Sequence, residues 1–118
     1  MFMPAMLAAS LGLIVQVADT MPRFDVRPTC RAAVTLAAGS EGRTVESCMA
    51  GEDAARKDLE KDWVKIPTAE RTQCIGTVNV GGSPSYVELL ICIEMMRDSR
   101  KHQEEERAAK IRKPAGKT

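Results

Sequence analysis

Aromatic side chains are scarce in this sequence, at 3% of the chain, and Trp63 and Tyr86 are the only ones beyond residue 24. That leaves no platform on which bases could stack, which excludes the usual design of a single-strand nucleic-acid binder. Charge of one sign is missing too: 17 basic against 16 acidic residues give a formal net charge of +1. The whole-molecule field therefore neither steers nucleic acid nor seeks an acidic surface. Histidine occurs once, as His102 in a charged stretch far along the chain from every cysteine, and there is no C-x-x-C. A Cys–His nucleophile and a thiol-exchange motif both lose their basis. With 118 residues the chain holds one domain at most.

Long apolar runs are absent apart from Ala5 to Ala18 (AMLAASLGLIVQVA), which has no charge. Fourteen residues is short of the roughly 20 needed to cross a hydrocarbon layer, so residues 1–20 read as a cleaved signal peptide. Two details depart from that pattern. Residues 1–4 (MFMP) lack a basic residue, and Gln16 stands where a small residue is preferred before cleavage after Ala18. An initiation codon upstream of Met1 would supply the missing basic segment. Retention of the leader would instead make the chain membrane-tethered.

What the sequence does contain is four cysteines, Cys30, Cys48, Cys74 and Cys92. An even count in a short exported chain predicts two disulfides. Zinc ligands would cluster as closely spaced pairs, and these are spread over intervals of eighteen, twenty-six and eighteen residues. No metal or cofactor is expected. Shifting the sequence by forty-four positions superposes Cys30 on Cys74 and Cys48 on Cys92, and also Val34 on Val78, Arg56 on Arg100, Lys57 on Lys101 and Glu60 on Glu104. Two related helix–turn–helix units would produce that pattern. All three pairings remain open under such a repeat: Cys30–Cys48 with Cys74–Cys92, Cys30–Cys74 with Cys48–Cys92, and Cys30–Cys92 with Cys48–Cys74.

The periodicity predicts an all-α fold of about four helices. Residues 21–28 mix charge and proline without a period and read as an extended lead-in, before a four-cysteine helical domain over 29–101. Cys30, Ala33, Val34 and Ala37 share a helix face over Thr29–Ala38, with Gly39 as the stop. Thr44 or Ser40 caps a second helix with the stripe Val45, Cys48, Met49, Ala55, Leu59 and Trp63. Its other face, with Glu52–Arg56 and Asp53–Lys57 as i,i+4 pairs, reads as solvated. Pro67 ends this helix, and Thr68 opens a third that points Cys74, Ile75 and Val78 inward. Ser83 and Pro84 read as the cap and first residue of a fourth helix, whose Tyr86–Met96 is apolar almost all round and so predicts a central, buried element. Residues 102–118 form a charged helical extension and frayed tail, with Arg100–Glu104, Lys101–Glu105 and Glu106–Lys110 available as surface pairs.

The one stretch that qualifies as a weak binding candidate is Gly82, Ser83 and Tyr86, where a helix N-terminus offers N–H groups to an anion. A cap, a turn and a core tyrosine explain the same residues. Glu88 and Glu94 lie roughly 240° apart around a helix and do not converge on one substrate.

The stretch from Cys30 to Lys101, with C-x17-C twice, a charged helix ending in Trp63 and the segment Gly81 to Leu90 (GGSPSYVELL), covers about three fifths of the chain. It resembles an uncharacterised group of small exported four-cysteine helical proteins of rhizobia-like bacteria, which share a leader and a Gly-Gly-Ser/Thr-Pro-x-Tyr-x-Glu-Leu-Leu segment. The resemblance implies a periplasmic or secreted location and brings no activity or catalytic residue. The sequence thus reads as a non-enzymatic exported module that binds another exported protein through a helix face. The alternative is a thiol-redox or metal-handling protein, which requires free cysteines.

Overall fold

A computed structural model describes residues 20–36 and 43–112. The leader, the end of the first predicted helix with its Gly39 stop, Ser40 and the tail beyond Arg112 lie outside the described residues. The described residues form four helices, α1 (Arg27–Leu36), α2 (Val45–Asp62), α3 (Thr68–Asn79) and α4 (Tyr86–Arg112), with a single 3-10 turn at Trp63–Lys65. The described residues contain no strand, as the periodicity required. In space the helices follow the order α1, α2, α4, α3, with α2 against α4 as the central packing.

Two disulfides staple this arrangement, Cys30–Cys48 and Cys74–Cys92, each across one helical hairpin, with Cα–Cα distances of 5.6 and 5.7 Å. Of the three pairings open to the sequence, the structure adopts the one in which each unit closes on itself. Cys30 and Cys48 are the fourth residues of α1 and α2, whereas Cys74 and Cys92 are the seventh residues of α3 and α4. Each cysteine of the second hairpin therefore stands roughly one turn deeper in its helix than its counterpart in the first.

Local sequence explains each start. Thr44 and Ser47 form a reciprocal capping box at α2: Thr44 Oγ1 accepts from the Ser47 N–H at 3.0 Å, and Ser47 Oγ accepts from the Thr44 N–H at 3.1 Å. Pro67 caps α3 at a position that needs no donor. The α3–α4 connection turns at Gly82, whose φ of 72° lies in the left-handed region that glycine adopts without strain. Ser85 caps α4, two residues after Ser83: its carbonyl accepts from the Leu89 N–H, and its Oγ accepts from the Glu88 N–H. Pro84 precedes the helix for that reason, and its carbonyl accepts from Thr29 Oγ1 at 2.9 Å.

The core joins Leu59, Trp63, Ile66, Val78, Tyr86, Leu89 and Ile93 with Val26, Ala55 and Cys74. Two expectations change here. Residues 21–28 pack against the fold, with Val26 buried and Met21 and Phe24 laid on the core, and α1 begins at Arg27 with Pro28 inside its first turn. The lead-in covers the core beside Tyr86. Nor is Tyr86–Met96 buried all round: α4 has α2 and α3 as its packing neighbours, and Val87, Ile91 and Met95 remain exposed. Beyond Arg100 the helix continues in register through Arg112 with nearly every residue in solvent.

Candidate functional site

Glu52 was expected on the solvated face of α2, yet it is only 4% exposed. It lies one turn from Cys48 and one from Ala55, on the stripe itself, and its side chain reaches the start of α4. Its Oε1 accepts from Ser85 Oγ–H at 2.5 Å and its Oε2 from the Tyr86 N–H at 2.6 Å. A carboxylate at a helix N-terminus is favoured by the unpaired N–H groups and by the helix dipole. The anion that the Gly82–Tyr86 segment invites is thus supplied from within the chain. Gly82 and Ser83 are exposed, and Tyr86 is buried beside the cap.

Tyr86 also closes the N-terminal segment. Its hydroxyl accepts from the Phe24 N–H at 2.9 Å and donates to the Pro22 carbonyl at 3.0 Å, and the Phe24 and Tyr86 rings lie 4.8 Å apart. Removing only that oxygen, in Tyr86→Phe, is expected to cost about 1–2 kcal/mol. Thermal unfolding measures the loss, and faster exchange of the Phe24 amide locates it.

With Glu52 turned inward, Arg56 pairs with Asp53 at 2.8 Å and Glu60 at 2.6 Å instead of with Glu52, while the expected Asp53–Lys57 pair forms at 3.1 Å. Hydrogen bonds from Arg56 and then Lys57 hold the Asp53 carboxyl below the usual carboxylate range. Its contribution is present above that range and fades as pH falls through it; an exposed pair of this kind contributes little. Arg100 crosses to Glu70 of α3 at 3.1 Å rather than pairing with Glu104, and so ties the two helices together. Arg71, on the stripe with Cys74 and Val78, is buried: its guanidinium lies 5.7 Å from the Trp63 ring centroid and donates to Thr68 Oγ1 at 2.9 Å.

All four cysteines are in the two bridges. Among the described residues no three His, Cys, Asp or Glu side chains group as metal ligands, and no helix is long and apolar enough to cross a membrane. Glu88 and Glu94 are both exposed on different sides of α4, as their spacing requires.

The surface feature that the sequence did not announce is a groove of ~500 Å³ between α3 and α4. Val78, Ile91, Cys92, Met95 and Met96 make it apolar, and Gln73, Thr77, Glu88 and Ser99 edge it. Ile91 is 50% and Met95 66% exposed. They stand one turn apart on the side of α4 that α3 leaves open. The sequence signal for it was the apolar width of Tyr86–Met96, which exceeds what two neighbouring helices can cover. Comparison with protein-family models, curated proteins and solved structures finds no match for the chain.

Proposed function

We propose that this chain is an exported helical module, held in shape by two disulfides, that works by presenting the α3–α4 groove to another protein and carries out no catalysis itself. The observation that carries this reading is the exposed apolar pair Ile91 and Met95, one turn apart beside the core and lining the same groove. A contiguous apolar surface on a small protein marks an interaction site. Location in the periplasm or outside the cell is supported by two bridges, which form and persist in oxidising compartments. The uncharged Ala5–Ala18 leader and the resemblance to small exported proteins of rhizobia-like bacteria point the same way. A thiol-redox or metal-handling role would need two free thiols, and pairing of all four cysteines favours the binding role over it.

A photo-crosslinking residue placed at Ile91 in the producing cell tests this. It is expected to give a discrete crosslinked species that the same residue at Val64, exposed away from the groove, does not give, and that Met95→Glu removes. Identical products from both positions, or none from either, would contradict a binding role for this face.

A further inference from the structure

We propose that the groove takes an amphipathic helix whose apolar stripe is flanked by two basic residues, and that Glu88 and Asp98 select it; this rests on the binding role just described. From Glu88 the i, i+3, i+4, i+7 series along α4 runs Glu88, Ile91, Cys92, Met95, Asp98 and Ser99, so all six share one side of the helix. Ile91, Cys92 and Met95 form the apolar middle, with a carboxylate at each end. The two ends are ten residues apart in the chain, about 15 Å along the axis at 1.5 Å per residue.

The charges at this site are unbalanced. Among the described residues neither the Glu88 nor the Asp98 carboxylate has an ion-pair partner, whereas Glu60 and Glu70 each have one and Asp53 has two. The residues lining the groove include Glu88 and no lysine or arginine, and Asp98 stands one turn beyond Met95, beside the lining rather than in it. A second copy of the chain fits this pattern poorly. Antiparallel pairing centred between Ile91 and Met95 sets Glu88 of one copy against Asp98 of the other, and parallel pairing sets each carboxylate against itself. An anionic membrane surface is repelled in the same way. A helix with apolar residues at i, i+3 or i+4 and i+7, and Lys or Arg at both ends of that stripe, satisfies the apolar middle and both carboxylates together. Such a helix lays its apolar face into the groove, and the flexible side chains of Met95 and Met96 adjust to its contour.

The test uses the full oxidised chain and two synthetic 18-residue helical peptides with the same leucine stripe. One carries lysine at two flanking positions ten residues apart, and the other carries glutamate there. The lysine peptide is expected to bind roughly tenfold more tightly by fluorescence anisotropy, with the advantage shrinking as salt is raised. Glu88→Lys together with Asp98→Lys, both at exposed positions, is expected to reverse the preference, and Met95→Glu to weaken both peptides. Equal affinity for the two peptides would overturn selection by charge. Binding of neither peptide, with the Ile91 crosslink still formed, would overturn the helical partner while leaving the binding role in place. Sedimentation showing a dimer that Met95→Glu dissolves would assign the groove to a second copy and overturn the proposal.

Discussion

Replacing Glu52 by alanine is expected to destabilise the fold by about 3 kcal/mol, lowering Tm by roughly 15 °C for a domain of this size. The carboxylate is the acceptor for the Ser85 hydroxyl and the Tyr86 N–H, and both donors are buried. Without it each is left unsatisfied or must draw water into the α2–α4 contact, at about 1–3 kcal/mol apiece. Part of that cost is returned, because burying a carboxylate is itself unfavourable. Glu52→Gln keeps one acceptor oxygen but turns an amide N–H₂ toward a donor, so an intermediate loss is expected. Glu60→Ala, at an exposed position on the same helix, is expected to change stability by less than about 1 kcal/mol. Denaturant unfolding followed by circular dichroism measures all three. Similar stabilities for the Glu52 and Glu60 variants would mean that the carboxylate does not join α2 to α4.

Removing either bridge has a large effect, but the two effects differ in kind. Cys74 belongs to the main core and Cys92 packs against it, so Cys74→Ser with Cys92→Ser loosens the α3–α4 hairpin and disturbs the central packing. Closure of an 18-residue loop contributes about 3 kcal/mol, and this variant is expected to lose at least that much in global stability. Cys30 is fully buried yet stands outside the main core, and it is the only buried residue of α1. A ten-residue helix is not stable alone in water. Cys30→Ser with Cys48→Ser is therefore expected to release α1 locally, with fast amide exchange over residues 27–36, while exchange in α2 and α4 stays slow. Equal protection losses throughout both variants would contradict this division between a core bridge and a tether.

The helices and their inner faces were legible in the sequence because apolar spacing, Thr44, Pro67 and the Gly81–Pro84 break all act locally. Ala55 and Leu59 on one stripe and Cys74 and Val78 on the other are buried as the spacing requires, while Cys48 at the start of the first is half-buried. The misreadings are all residues whose surroundings come from elsewhere in the chain. Glu52 lies on the first of those stripes, but its charge suggested solvent; a buried helix N-terminus receives it instead, as an indole ring receives Arg71 on the second, a residue that no local pattern singles out. Ser83-Pro84 carries a local cap signature, yet Ser85 takes the role because its hydroxyl can also donate to Glu52. The lead-in had no period to reveal it, since Phe24 and Val26 are held by Tyr86 and the core rather than by neighbours in sequence. The cysteine pairing was undetermined because equal spacing is compatible with all three arrangements. The groove follows from how few helices surround α4, a count that no single segment encodes.

Mass spectrometry of the protein recovered from its native compartment, alkylated before and after reduction, tests the central claim of an exported two-bridge module most directly. The expected result is loss of the leader, no alkylation before reduction, a gain of four hydrogens on reduction, and linked peptides joining Cys30 to Cys48 and Cys74 to Cys92. An intact leader with alkylated cysteines would contradict it, and would return the four thiols to consideration as redox or metal ligands.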